Sequence, residues 1–123
     1  MSQKIAFQGE LGAYGHEACI TACPDFEPLP CGTFESAIDA VRSGAADMGM
    51  IAVENSTYGR VADVHSLLPE SGLHIVDETF VRVHVNLLGK PEAQLSDTKE
   101  AYGHPVILPQ CGKFLREHDI IGR

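Results

Sequence analysis

The apolar positions in the first 53 residues follow the spacing of strands in some stretches and of helices in others. Lys4–Gln8 is a short apolar run that predicts a first strand, and Phe26–Leu29 predicts a second. Between them, we expect a helix from the glycine-rich turn after the first strand to about Cys23, where a proline follows. Met48–Val53 predicts a third, buried strand. This alternation predicts an α/β fold with a mostly parallel sheet and crossover helices.

Two further helices are predicted from apolar side chains at helical spacing. Thr33 is expected to cap the first of them, and Ser43–Gly44 to end it. Its apolar face consists of Phe34, Ala37, Ile38 and Val41. Val61–Leu68 predicts the other helix, which a proline and a glycine stop.

The second half of the chain contains the longest strand-like pattern. Leu73–Leu88 alternates between apolar and polar positions, which predicts a long strand. Gly89–Asp97 is expected to form a polar loop and Thr98–Tyr102 a short strand. A helix is then expected to open at Gly103–Pro105. If it begins there, Pro109 lies inside it at a cost of about 3 kcal/mol, so either the first turn is irregular or the helix begins at Pro109.

Charge and length exclude several classes of function. The chain has 17 acidic against 9 basic residues, a formal charge of −8, which argues against nucleic-acid binding. No apolar run approaches the roughly 20 residues that span a bilayer, and no leader opens the chain. We therefore expect a cytoplasmic protein with reduced thiols. Cys19 and Cys23 face one way on the predicted helix, and core packing is favoured over a metal pair.

Polar residues follow the third predicted strand directly. In open α/β sheets, ligands bind beyond the carboxyl ends of the strands, so Glu54, Asn55 and Ser56 are expected at the rim of a cleft. The alternative is that Asn55 and Ser56 cap the next helix. Gly9 and Gly12 lie between the first strand and helix, where free amides and the positive helix end can bind an anion, although such glycines also mark ordinary turns.

Several segments, in the same order along the chain, resemble the prephenate dehydratase family. They are Ile5–His16, Thr33–Glu35, the Glu-Asn-Ser-x-x-Gly-x-Val run Glu54–Val61, Leu67–Val76, Gly103–Pro105 and Gln110–Cys111. The resemblance implies a type II, periplasmic-binding-protein-like fold of two lobes. Residues 1–76 would form the first lobe, and residues 77–123 the crossover strand and an incomplete second lobe.

The resemblance also implies an activity: removal of water and carbon dioxide from prephenate to give phenylpyruvate, a lyase step in phenylalanine biosynthesis. The reaction requires no metal or organic cofactor. The resemblance assigns catalysis to Asn55, Ser56 and Gln110, with Glu54 expected to turn into the lobe and bond backbone amides. The substrate-binding residues that it suggests are Gly9, Gly12, Ala13, Tyr14, Glu54, Gly103 and His104.

Other features depart from the family's pattern. No Thr-Arg-Phe run, the family's catalytic motif, occurs in the 123 residues, and Gly15 and Gly103 stand where the family has serine. We therefore expect an incomplete enzyme that is inactive alone and forms a homo-oligomer to cover apolar surface. The alternative is a non-catalytic binding module for a small aromatic or carboxylate ligand. Arogenate remains an alternative to prephenate as the substrate.

Overall fold

The computed structural model describes residues 2–123 and divides the chain into two compact units. The first contains the residues up to Asn55 together with Gly59–Arg82, and the second contains Ser56–Tyr58 and Val83–Arg123. Within this described part, no helix is both long enough and apolar enough to cross a membrane.

The first unit is built on a three-stranded parallel sheet in the order β2-β1-β3. The strands are β1 (Lys4–Gln8), β2 (Glu27–Cys31) and β3 (Met48–Met50). Helix α1 (Tyr14–Ala22) connects β1 to β2, and α2 (Phe34–Arg42) connects β2 to β3. The predicted α/β fold with parallel strands and crossover helices is confirmed.

The core lies on both faces of β1, because successive side chains of a strand point to opposite faces. Ile5 and Phe7 are buried with Cys19 of α1 in one cluster. Ala6 is buried in a second cluster with Ala37 of α2. β1 is therefore covered on both sides, as its continuous apolar run predicts.

The ends of α2 agree with the sequence. The Thr33 side chain accepts a hydrogen bond from the Ser36 amide, and the Ser36 hydroxyl accepts one from the Thr33 amide. This capping box satisfies two amides that would otherwise lack partners. At the other end Ser43 is the C-cap, and Gly44 adopts a φ of 84°, a conformation that favours glycine.

The third strand is shorter than predicted, since β3 ends at Met50 rather than at Val53. Met50 pairs with Phe7, close to the end of β1. The chain beyond β1 turns at Gly9, whose amide donates to the Cys31 carbonyl on the β2 side. Residues 51–53 therefore lie beyond the residues of β1 with which β3 pairs.

A small hairpin and a helix follow β3. β4 (Glu54–Asn55) pairs antiparallel with β5 (Gly59–Arg60), and α3 spans Ala62–Leu67. Val64 of α3 is fully buried. The helix predicted over 61–68 is thus present, one residue shorter at each end.

The long strand predicted over Leu73–Leu88 is wrong, because the described structure assigns no strand there. Phe80 is 86% exposed and Leu88 is 88% exposed. An alternating pattern indicates which side chains share a face, but a strand also needs a partner to complete its hydrogen bonds. The described residues supply no such partner to this segment.

The second unit contains a 3₁₀ helix (Leu95–Asp97) and a parallel strand pair, β6 (Glu100–Ala101) with β7 (Ile121–Gly122). Between these strands lie α4 (Ile107–Gln110) and α5 (Gly112–Glu117). The polar loop predicted before β6 is interrupted by the 3₁₀ helix, and the predicted strand is shortened to two residues.

The helix begins at neither Pro105 nor Pro109, so the cost expected for a helix that begins at Pro105 does not arise. α4 begins at Ile107, which places Pro109 in the first turn. Amides of the first turn have no partner within the helix, so the missing amide hydrogen of proline costs little there.

Candidate functional site

The strand order determines which segments leave the same edge of the sheet. The chain passes from β1 to β2 on one side and then crosses to β3 on the other, so the topological switch point lies between β1 and β3. The loop at residues 9–13 leaves β1 there, and residues 51–53 lead from β3 to the hairpin. Both predicted site segments of the first unit therefore start at the edge where α/β folds bind ligands.

The glycine loop, residues 9–13, is held by its own backbone. Gly9 and Gly12 have φ angles of 125° and 93°, which side chains other than glycine rarely adopt. The Ala13 amide donates to the Glu10 carbonyl at 3.1 Å. Ala13 is the N-cap of α1, and no side chain caps the helix there. Because no side chain caps the start of α1, its first amides can bind an anion.

His16 is a residue of this loop region that the sequence reasoning missed. Its Nδ1 accepts a hydrogen bond from the Gly12 amide at 2.8 Å. Its ring stacks on the buried Phe7 ring, with centroids 5.8 Å apart and an 18° angle between the planes. The signal available in the sequence was its position four residues after Gly12 at the start of the predicted helix.

The polar run after β3 forms the hairpin. Asn55 pairs with Gly59, and the half-buried Asn55 belongs to the first unit. Ser56 is exposed in the turn and belongs to the second unit. The expectation that Asn55 and Ser56 cap the next helix is wrong, because α3 has Val61 as its N-cap with no side-chain cap.

Glu54 does not turn into the lobe as expected. It is exposed and lies opposite Arg60 in the hairpin register. The ion pairs found among residues 2–123 lie elsewhere and involve Arg42, Lys113 and Arg123. Glu54 and Arg60 are thus neighbouring exposed charges, each accessible to solvent.

The candidate residues of the second unit make local contacts. His104 Nδ1 accepts a hydrogen bond from the Val106 amide at 3.1 Å. The Gln110 side-chain amide donates to the Val106 carbonyl at 2.7 Å. The Gly103 amide donates to the Arg123 carbonyl at 3.4 Å. Gln110 therefore holds one of its donor hydrogens within its own helix.

The cysteines of α1 pack as expected. Cys19 is fully buried beside Ile5 and Phe7, and Cys23 packs against the same cluster. Burial, assisted by the nearby Cys23 thiol, raises the pKa of the Cys19 thiol to about 11. A neutral buried thiol behaves as a small apolar side chain.

A separate depression of about 540 Å³ lies where β2 leads into α2. Its lining includes the carboxylates of Glu35 and Asp63 and the hydroxyl groups of Thr33 and Ser66. Two carboxylates disfavour an anionic ligand. The glycine loop and the hairpin, rather than this depression, are therefore the candidate site for a carboxylate.

Residues 5–121 match the family model described as prephenate dehydratase. The chain belongs to the prephenate dehydratase family. This confirms the resemblance seen in the sequence, and it covers all of the candidate residues.

Curated members of the family are longer than this chain. A bifunctional N-acyl-homoserine lactone acylase/prephenate dehydratase of Komagataeibacter europaeus is 49% identical over 113 residues, covering 92% of this chain and 40% of that protein. An arogenate dehydratase/prephenate dehydratase of Arabidopsis thaliana is 39% identical over 108 residues, 28% of its length. The bifunctional chorismate mutase/prephenate dehydratase of Escherichia coli K12 is 34% identical over 121 residues, 31% of its length. The chain spans two fifths or less of these proteins.

A solved structure also resembles the chain. It is described as "GqqA- a novel type of quorum quenching acylases", and it superposes with a TM-score of 0.74 at 45% sequence identity. The match covers 98% of this chain and 44% of that one. The fold of that structure is therefore shared over nearly the whole chain.

Proposed function

We propose that this chain is the amino-terminal part of a prephenate dehydratase catalytic domain, which removes water and carbon dioxide from prephenate to give phenylpyruvate. The observation that carries the proposal is the family match over residues 5–121. The strand order supports it, because the two family motifs of the first unit begin at the switch point of the sheet.

Each candidate residue has a proposed role. The uncapped start of α1 and the loop at Gly9–Ala13 bind a substrate carboxylate through backbone amides, with Tyr14 beside them. Asn55 and Ser56 orient the substrate and hold its hydroxyl group, and Gln110 is a further substrate-binding residue. The reaction is driven by ring aromatisation, so the protein supplies mainly orientation and a proton for the departing hydroxyl.

Three residues keep secondary roles in the proposal. Gly103 and His104 shape the approach to Gln110, and the hydrogen bond between His104 and Val106 fixes that turn. Glu54 contacts the substrate at the rim, and its exposed position opposite Arg60 keeps the carboxylate beside a positive charge. The Arg60 guanidinium reduces the repulsion between Glu54 and a dianionic substrate.

We propose that the lobes follow the type II periplasmic-binding-protein plan, with residues 1–76 in the first lobe and 77–123 in the crossover and second lobe. The chain alone is expected to be inactive, because the Thr-Arg-Phe motif that the family uses on the leaving group does not occur in it. Binding of the substrate does not require the group that acts on the leaving hydroxyl, so the chain is still expected to bind prephenate.

The test compares the 123-residue chain with a chimera. In the chimera, the chain replaces the matched segment of the Komagataeibacter europaeus relative, so that the remainder of that protein completes the domain. Both are incubated with prephenate near neutral pH, and phenylpyruvate is followed by its absorbance. Turnover by the chimera alone supports the proposal, and the Asn55→Ala chimera should then lose most of that turnover. A well-folded chimera without turnover would contradict it.

The 123-residue chain and the chimera also distinguish two alternative functions. A non-catalytic binding module would bind prephenate in both forms without turnover, and Gly15 and Gly103 favour this alternative because each removes a hydroxyl donor. An acylase activity is suggested by the 49% identity to a relative whose name includes N-acyl-homoserine lactone acylase. Release of the fatty acid from an N-acyl-homoserine lactone would test it, and arogenate in place of prephenate tests substrate choice.

We also propose that the active form is a homo-oligomer. Leu73–Leu88 exposes several large apolar side chains, which chains in solution tend to cover. They are Ile75, Val76, Phe80, Val85, Leu87 and Leu88. Light scattering is expected to give a dimer or larger species at micromolar concentration, and Phe80→Asp should shift it toward monomer. A wild-type monomer throughout that range would refute the proposal.

A further inference from the structure

His16 makes two contacts that together define its protonation and orientation. Its Nδ1 accepts the Gly12 amide hydrogen at 2.8 Å. An imidazole nitrogen can accept only when it carries no proton, so the ring in this conformation is neutral with its hydrogen on Nε2. The stack on Phe7, which is 0% exposed, holds the plane of the ring.

The glycine loop needs such a contact, because its glycines give it little intrinsic rigidity. Gly12 has a φ of 93° and no heavy atom near the position of a Cβ, so local packing does not hold its backbone. The amides of Gly9 and Ala13 are bonded within the protein. Among the described residues, no backbone carbonyl accepts the amide hydrogens of Glu10 and Leu11. These two successive amides are the loop donors that remain for a ligand.

We propose that His16 is a positioning residue of the substrate site: by accepting the Gly12 amide hydrogen, its imidazole holds the glycine loop in the conformation that presents the Glu10 and Leu11 amides to a substrate carboxylate. The inference depends on the proposed function, since it assigns the carboxylate to prephenate. His16 acts here through Gly12 and adds no positive charge. It contributes by orienting the loop before the substrate binds. Less conformational entropy is therefore lost on binding.

The variants follow from the shape of the histidine side chain. Asn places an oxygen near the position of Nδ1, whereas Leu has nearly the same shape as Asn and no acceptor. His16→Asn is therefore expected to keep the bond to Gly12, and His16→Leu to lose it. His118→Leu is the matched control, because His118 also stacks on a phenylalanine and bonds through Nδ1, but at the C-cap of α5 in the second unit.

Two measurements on the 123-residue chain separate positioning from general stability. Amide hydrogen exchange at Gly12 is expected to accelerate about two- to tenfold in His16→Leu, the range for one net hydrogen bond, and to stay near wild type in the other two variants. Calorimetric titration with prephenate is expected to show affinity weakened about three- to tenfold in His16→Leu and largely restored in His16→Asn.

The outcomes distinguish this inference from the proposed function. If wild type binds prephenate and His16→Leu binds it equally well, or if Asn and Leu behave alike, His16 is not a positioning residue. If wild type does not bind prephenate, the proposed function fails, and the exchange at Gly12 still reports whether His16 orders the loop. Should His16→Leu fail to fold, the ring ¹⁵N spectrum of wild type decides: a hydrogen on Nδ1 overturns the inference, and one on Nε2 supports it.

Discussion

The Nε2 atom of His65 lies 3.1 Å from the carbonyl oxygen of Val53. The same oxygen accepts the Val61 amide hydrogen at 3.1 Å. One peptide group at the base of the hairpin thus receives two hydrogen bonds, one from the N-cap of α3 and one from its last turn. This contact anchors the segment that carries Glu54 and Asn55.

Removing this second donor should loosen the hairpin. His65→Leu is expected to lower the free energy of unfolding by about 1 kcal/mol and to accelerate exchange of the Val61 amide. Gln can place a donor near the position of Nε2, so His65→Gln should lose less. Urea denaturation measures the first effect. His74→Leu, at an exposed position in the segment after α3, serves as the control, and an equal loss in that variant would contradict the role of His65.

Gly59 is required by the backbone of the same hairpin. Its φ is 101°, and a Cβ there would meet no neighbouring atom, so strain rather than crowding opposes substitution. Gly59→Ala is expected to cost about 1–3 kcal/mol. Gly32→Ala is the matched control, because Gly32 also has open space and no positive φ. Urea denaturation in which both variants lose the same stability would count against the strain argument.

Gly15 and Gly103 stand where the resemblance to the family leads us to expect serine. We expect the two positions to respond differently to substitution by serine. A Cβ on Gly15 would lie 3.0 Å from Phe7 Cδ2 and 3.2 Å from the Gln8 carbonyl oxygen. A Cβ on Gly103 would lie 3.2 Å from Leu108 Cδ2, the far end of a flexible side chain.

We therefore expect Gly15→Ser to destabilise the chain by about 1–2 kcal/mol, since overpacking outweighs the gain of about 0.5 kcal/mol in helix propensity. Gly103→Ser should change stability by less than about 0.5 kcal/mol. Thermal and urea denaturation of the pair provide the measurement. If Gly15→Ser proved the more stable of the two, the close approach of α1 to β1 would not lower the free energy of unfolding of that variant.

Cys19 should make stability depend on alkaline pH. In the folded chain the pKa of the Cys19 thiol is about 11, whereas the thiol of an unfolded cysteine has a pKa of about 8.5. Between these values the unfolded chain releases the proton and the folded chain keeps it. The stabilisation is complete below pH ~8.5 and is lost toward pH ~11, by about 1.4 kcal/mol per pH unit at most.

The measurement is urea denaturation from pH 8 to 10.5 in wild type and in Cys19→Ala. The variant is less stable at every pH because it leaves a cavity, but its stability should decline less steeply with pH. Parallel curves would show that Cys19 does not hold its proton in the folded state.

The sequence predicted the elements whose signals are local. β1 has the predicted bounds, Thr33 caps α2 as expected, and α1 ends at Ala22, with the predicted Cys23 as its C-cap. Apolar spacing and capping are properties of neighbouring residues, so they can be read without knowing the fold. The family motifs are local in the same sense, and they identified the family.

Other features depended on which segments meet in space, and only the tertiary structure decided them. β3 ends at Met50 because its neighbour β1 turns away, and Leu73–Leu88 forms no strand in the described structure because alternation does not supply a partner strand. The stack of the His16 ring on Phe7 and the crowding of Gly15 by Phe7 likewise require the packing of α1 against β1. Side-chain periodicity specifies the face that a residue occupies, whereas hydrogen-bond partners and close contacts arise between segments far apart in the chain.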